Sequence, residues 1–189
     1  MLSRDEWLDL FEQAFTKIET RLSQVLQLND CREHWIQAEL SLHAWFEQER
    51  EIWIGKTIGN GQRLDLYTED LEMAAEVKCL GDVSYTKCIA GRNNLPETME
   101  LLRPVPEGRL SFHDPLPQAT TSNPIGWSIL SDTLRLKSLT DFQHKFFILI
   151  IAHGETVTEN GNILRALKIT PYERTIELDS AIIRIWALA

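Results

Sequence analysis

Apolar residues recur at helical spacing at the start of the chain: Trp7, Phe11, Phe15, Ile18, Leu22 and Val25 fall on one stripe. Ser3 with Glu6 three residues on forms a capping box, so the pattern predicts a helix within residues 1–28. Its aromatic residues read as core rather than as a base-stacking platform. A second box, Asp30 with Glu33, predicts a helix over roughly residues 31–48. At 100° per residue, Trp35, Ala38, Leu42, Trp45 and Phe46 share a face on that helix, the expected core face. Glu39 falls inside that face, and a carboxylate buried there needs a metal shell, a cation or a donor-rich pocket. His43, one turn further on, reads as a helix-surface histidine.

The period then changes from helical to strand-like. Glu51 to Ile58 reads as a strand, Asn60-Gly61 as a tight hairpin turn, and Leu64 onward as its partner. The polar cluster Thr68 to Glu72 separates this partner from a third strand, Ala74 to Leu80, which completes an antiparallel meander. Asp82 can cap a helix over about 83–91, Leu95 to Leu102 suggests another, and a further helix is expected at about 126–139. Lys145 to Ala152 is apolar on both faces, as a buried central strand would be. A turn at His153-Gly154 follows, then a loop at Thr158 to Gly161 and a closing strand at Ala181 to Leu188. Five of the seven prolines lie between Pro104 and Pro124, which predicts a long loop or arm over 104–124. At 189 residues the chain is expected to form a single domain. Residues 153–189 then make a C-terminal extension that carries the closing strand.

Composition narrows the function classes. An apolar fraction of 43% with six tryptophans belongs to a globular protein. The longest apolar run, Phe146 to Ala152, is far short of the roughly 18–20 residues a membrane helix needs, so no membrane partner is expected. Three cysteines, Cys31, Cys79 and Cys88, include no CxxC pair, and this argues for reduced thiols and a cytoplasmic setting. The five histidines form no HExxH, which disfavours zinc. The net charge of −9 counts against casual nucleic-acid binding. The excess is uneven: residues 1–51 hold eleven acidic against five basic residues, whereas residues 135–189 hold six against seven.

Candidate chemistry lies in the meander. Glu76 and Lys78, two apart on a strand, project from one face. If the turn is symmetric about the Asp70–Leu71 bond, Asp65 sits opposite Glu76, close enough for the two carboxylates to share one ion. If Asn60-Gly61 is a two-residue turn, Lys56 sits opposite Asp65, as a substrate contact or as an edge-strand lysine that discourages aggregation. Tyr85, Lys87 and Arg92 follow the third strand and could touch phosphates or form a solvated helix face. Glu-x-Lys by itself is a common string, and the competing interpretation is a surface hairpin with a routine Glu–Lys pair.

Glu39 on a helix, Asp65 at a strand and Glu76-Val77-Lys78 on the next strand resemble the PD-(D/E)xK nuclease superfamily. The resemblance implies an α/β fold: a restriction-endonuclease-like mixed sheet with an αβββαβ core over residues 31–152 and an extra N-terminal helix. Leu64 stands where the name-giving pattern has proline. By likeness, Asp65 and Glu76 would ligate Mg²⁺, with Mn²⁺ able to substitute, and the Val77 carbonyl would add a further oxygen. Glu39 would hold a metal-bound water or a second ion. Lys78 would orient or deprotonate the attacking water and balance charge in the transition state. The implied activity is a Mg²⁺-dependent DNA endonuclease, with DNA as partner and a homodimer as the assembly that cutting two strands would favour. The alternative is a non-catalytic protein-interaction module on the same fold. RNA as substrate ranks below DNA, because nothing recognisable reads a 2′-hydroxyl.

Overall fold

The computed structural model describes residues 1–28, 31–57, 63–80, 132, 136–137, 139–153 and 172–188. Two helices, α1 (Arg4–Val25) and α2 (Arg32–Gln48), precede strands β1 (Trp53–Ile54), β2 (Leu66–Tyr67), β3 (Met73–Leu80), β4 (His144–Ala152), β5 (Tyr172–Glu177) and β6 (Ala181–Leu188). The strands form one mixed sheet in the order β1-β2-β3-β4-β6-β5. The chain is thus α/β, with the expected antiparallel meander β1-β2-β3. Strand β4 runs parallel to β3 over eight residues, from Met73 opposite His144 to Leu80 opposite Ile151. Such a parallel pair needs a long crossover, and the 63 residues between the two strands provide it.

Helix α1 begins as its sequence predicts. The Ser3 hydroxyl accepts from the Glu6 N–H and the Glu6 carboxylate accepts from the Ser3 N–H, so the box is reciprocal. Trp7, Phe11, Phe15, Ile18 and Leu22 are all buried. Their stripe meets alternate residues of the sheet: Met73, Ala75 and Val77 of β3, Phe146, Ile148 and Ile150 of β4, and Ile183, Ile185 and Ala187 of β6. Phe11 packs edge-on against Phe146 with ring centroids 5.4 Å apart. Burial of each large side chain here contributes roughly 1.5–3 kcal/mol. The intervening residues, Ala74, Glu76 and Lys78 on β3 and Phe147 and Leu149 on β4, face the other side. Strand β4 is buried on both faces, as its unbroken apolar run requires.

Helix α2 departs from the expected face. Its buried residues are Ile36, Gln37, Leu40, His43 and Ala44, whereas Leu42, Trp45 and Phe46 are exposed. The helix carries two apolar stripes, and periodicity alone does not say which one meets the core. His43, expected on the helix surface, lies on the buried side, and burial with Lys17 nearby lowers its pKa. Strand β5 has no counterpart among the expected elements, although the alternation Tyr172, Arg174, Ile176 and Leu178 is a strand signal. It pairs with β6, which lies between β4 and β5. The C-terminal extension therefore completes the sheet rather than appending to it. The expected helices over 83–91 and 95–102, the proline-rich arm 104–124 and the loop 158–161 lie outside the described residues. Within the expected helix at 126–139, residues 132, 136 and 137 are helical.

The β2–β3 turn holds a strained residue. Leu71 sits at φ 61°, and its N–H closes a turn onto the Thr68 carbonyl. A left-handed conformation costs an L-residue about 1–2 kcal/mol. Leu71 is 44% exposed, so its side chain returns little packing. Leu71→Gly is expected to raise the unfolding free energy by about 0.5–1 kcal/mol, once the extra unfolded-state entropy of glycine is set against the relief. Urea denaturation of parent and variant measures it.

Candidate functional site

The β2–β3 register is the expected one: Leu66 faces Ala75 and Tyr67 faces Ala74, so the next position sets Asp65 against Glu76. The chain bends at Asp65. The Asp65 carbonyl and the Leu64 N–H both turn to β1, where they meet the Gly55 N–H and the Lys56 carbonyl at 3.0 Å. The bend ends the ladder with β3 after Leu66. Among the described residues, strand β3 continues for five residues beyond its last strand partner on this edge.

That free edge needs acceptors. Along a strand, the N–H and C=O of alternate residues leave by the same edge. The Met73 carbonyl accepts from the Thr68 N–H on the β2 side, so Val77 and Cys79 present their N–H groups there too. Two carboxylates take the place of the missing strand. Asp65 Oδ2 accepts from the Val77 N–H at 2.9 Å, and Glu33 Oε1 accepts from the Cys79 N–H at 3.1 Å. The Val77 carbonyl leaves by the same edge, beside Asp65.

Lys78 is the centre of the group. Its ammonium lies 3.2 Å from Asp132 Oδ2 and 3.9 Å from Glu33 Oε2. Asp132 is 3% exposed and Glu76 1% exposed. Burial pulls the Lys78 pKa down, but the charges of Asp132, Glu33, Asp65 and Glu76 outweigh it and hold the pKa well above the ordinary 10.5. The ammonium is therefore fixed in its charged form across the physiological range. Burial is also the main influence on Glu33. It raises the pKa there, Lys78 and the Cys79 N–H oppose it, and Asp65 and Asp132 add to it.

Several expected site residues are placed differently. Glu39 is bonded to Arg21 of α1 at 3.0 Å, and the Arg21 guanidinium also lies over the Trp35 ring. Glu39 lies six positions after Glu33, about 240° around a helix, so only one of them can face β3. Glu33 occupies the place expected of Glu39. The sequence places Glu33 at N3 of a capping box, but its side chain reaches across to β3 instead. Cys31 stands at the N-cap with no side-chain cap bond, and Asp30 lies outside the described residues.

Lys56 does not face Asp65. The β1–β2 register pairs Ile54 with Leu66 and Thr57 with Arg63, which sets Gly55 against Asp65 and Lys56 against Leu64. A one-residue offset moves a side chain to the opposite face, and the Lys56 ammonium lies 5.0 Å from the centre of the Tyr67 ring. Tyr85, Lys87 and Arg92 lie outside the described residues. Asp132 escaped sequence reasoning because no local pattern connects it to β3.

The oxygen donors Asp65, Glu76 and the Val77 carbonyl match the chemistry of a hard divalent cation. Among the described residues, no three His, Cys, Asp or Glu side chains converge on one point as metal ligands would. The cation at the centre of the group is Lys78.

Glu33→Gln tests the electrostatics. A carboxyl whose folded pKa exceeds its unfolded value binds more protons in the folded state, so stability rises as pH falls through that range. Glu33 therefore costs stability at pH 7, and the cost fades as pH falls toward 4.5. Lys78, whose folded pKa is also raised, loses its contribution only above pH 10.5 and is silent in this window. The variant keeps an acceptor for the Cys79 N–H. It is expected to be at least as stable as the parent at pH 7, with the difference narrowing toward pH 4.5 in thermal unfolding.

No protein-family model matches the chain, and no curated protein or solved structure matches it. No helix among the described residues is long and apolar enough to cross a membrane.

Proposed function

We propose that the protein is a metal-dependent DNA endonuclease of the PD-(D/E)xK type. One observation carries the reading: a lysine two residues after a buried glutamate on β3, ringed by Asp65, Glu33 and Asp132, at the edge where the β2 ladder stops. The strand arrangement supports it, because an antiparallel meander followed by a strand parallel to its third member suits a restriction-endonuclease-like core.

Asp65, Glu76 and the Val77 carbonyl would hold Mg²⁺ or Mn²⁺, and Glu33 replaces Glu39 as the helix acid. When bound, the ion supplies charge for the scissile phosphate and acidifies a water. The Val77 N–H orients Asp65, and the Cys79 N–H orients Glu33. Lys78, held protonated, donates to the attacking water or to a phosphate oxygen rather than serving as the base. Asp132, 3.2 Å from the ammonium, positions Lys78.

The test is Mg²⁺- or Mn²⁺-dependent cleavage of supercoiled and linear DNA by the full chain. Glu76→Ala is expected to lower cleavage by at least about 10²–10³, the scale of losing one transition-state stabiliser. The reading fails if the parent cuts no form of DNA, or if Glu76→Ala cuts equally well. Matched RNA substrates decide between the two nucleic acids.

A second reading, a non-catalytic module that binds a protein partner, is favoured by the exposed stripe Leu42, Trp45 and Phe46 on α2. Thermal unfolding with Mg²⁺ or Mn²⁺ separates the two. Stabilisation that depends on Asp65 and Glu76 supports the enzyme, and no shift supports the module.

A further inference from the structure

Helix α2 has two apolar faces, and one chain buries only one of them. Ile36, Leu40 and Ala44 join the core with α1 and the sheet. Away from that core, Trp35, Ala38, Leu42 and Trp45 follow one another at intervals of three, four and three residues, the a and d spacing of a helix–helix seam. Trp35 and Ala38 are half-buried, whereas Leu42 is 52%, Trp45 53% and the flanking Phe46 76% exposed. Large apolar side chains grouped on one face mark an interaction surface, unlike scattered single ones. The two ends of α2 also differ in charge. Its last turn holds no basic residue, and Glu49 and Glu51 follow it, exposed and without an ion pair among the described residues. Acids at the negative end of a helix are repelled by its dipole. At the other end, Cys31 supplies no side-chain cap, and Glu33 of the first turn is engaged with the Cys79 N–H. The first N–H groups there carry partial positive charge. Arg32 opens the helix, and Arg21 of α1 leans over Trp35. One end thus lacks a cation, and the other lacks a capping acceptor.

We propose that this face of α2 docks in antiparallel orientation against the same face of α2 in a second copy of the chain. A parallel pair sets like ends together, acid beside acid. In the antiparallel pair, Trp35 faces Trp45 of the second copy, and small Ala38 leaves room for its Leu42. Glu49 then meets the second copy's α2 at Cys31, where the dipole is positive. Two-fold symmetry repeats each contact and closes the assembly at two chains. The seam from Trp35 to Trp45 covers about 15 Å of helix. Such an interface falls at the small end of specific contacts, and a dimer Kd on the order of 10 μM is expected. The stripe with the pattern of a core face is then a core between copies rather than within one. The inference does not rest on the Lys78 site.

The experiment is sedimentation equilibrium of the full chain, with reductant present, from about 1 to 100 μM, a range that brackets the expected Kd. The mass is expected to rise from 21.8 kDa toward twice that value. Leu42→Glu and Phe46→Glu each put a charge at an exposed position, and both are expected to keep the mass of one chain at every concentration. Their circular dichroism at the lowest concentration, where the parent is also monomeric, is expected to match the parent's, which separates a lost interface from a lost fold. Glu49→Lys is expected to raise the dimer Kd about fivefold, the scale of one charge at a helix end. A parent that keeps the mass of one chain at the highest concentration overturns the proposal and leaves the stripe to a helix of another protein. A dimer that survives both Leu42→Glu and Phe46→Glu also overturns it, because the contact then lies elsewhere. An unchanged Kd for Glu49→Lys overturns the antiparallel orientation.

Discussion

Lys78→Ala is expected to lower the unfolding free energy by about 3 kcal/mol at pH 7, the scale of removing one partner from a buried ion pair. Asp132, 4% exposed at its side chain, then loses the cation 3.2 Å away, and Glu33 loses its own at 3.9 Å. Without Lys78 to oppose burial, the Glu33 carboxyl is pushed further up in the folded state. The variant therefore binds extra protons on folding, and its deficit shrinks as pH falls toward 4–5. Denaturant unfolding at pH 7 and pH 5 measures both effects. Millimolar Mg²⁺ is expected to restore part of the lost stability if the group accepts a divalent cation, and cleavage is expected to be lost whether or not stability returns. Equal stability of parent and variant at pH 7 would mean that the carboxylates do not depend on Lys78.

Glu72→Ala is expected to cost about 3 kcal/mol, comparable in size but unrelated to the site. Glu72 is a buried acid at the end of the β2–β3 turn. Its Oε1 accepts from the Trp7 indole at 3.0 Å and from the Leu2 N–H, and its Oε2 lies 3.4 Å from Arg50. One carboxylate thus ties the start of α1 and the segment after α2 to the hairpin. Alanine strands a buried indole donor and removes the nearer of the two carboxylates that pair with Arg50. Glu72→Gln keeps an acceptor for Trp7 and is expected to cost about half as much, in line with losing only the charged contact. Urea denaturation followed by tryptophan emission gives both values, and equal losses for the two variants would remove the charge from the account.

The two acids of α2 show how far the sequence could be read. Glu39 stands out in the sequence because it interrupts the stripe Trp35, Ala38, Leu42, Trp45 and Phe46. Glu33 does not, because a capping box with Asp30 accounts for it locally. Apolar residues occur on both sides of the helix, so the choice of face rests on which side meets α1 and the sheet. Lys56 teaches a related lesson. The turn rule placed it one residue away from its observed partner, and one residue is enough to exchange the faces of a strand. Asp65 and Glu76 were legible because the polar cluster Thr68 to Glu72 defines a short hairpin whose register follows from its centre. Strand β5 was legible in principle, since the alternation Tyr172, Arg174, Ile176 is plain.

Local pattern determined α1 with its cap, the buried strand β4, the closing strand β6 and the facing of Asp65 and Glu76. Each of these follows from periodicity or turn chemistry within a few residues. Only the tertiary structure chose which side of α2 is buried and brought Glu33 and Asp132 to Lys78. Those outcomes depend on contacts between residues dozens of positions apart. What fixes them is the need to satisfy a free strand edge and a buried charge, a need that arises only once the sheet has formed.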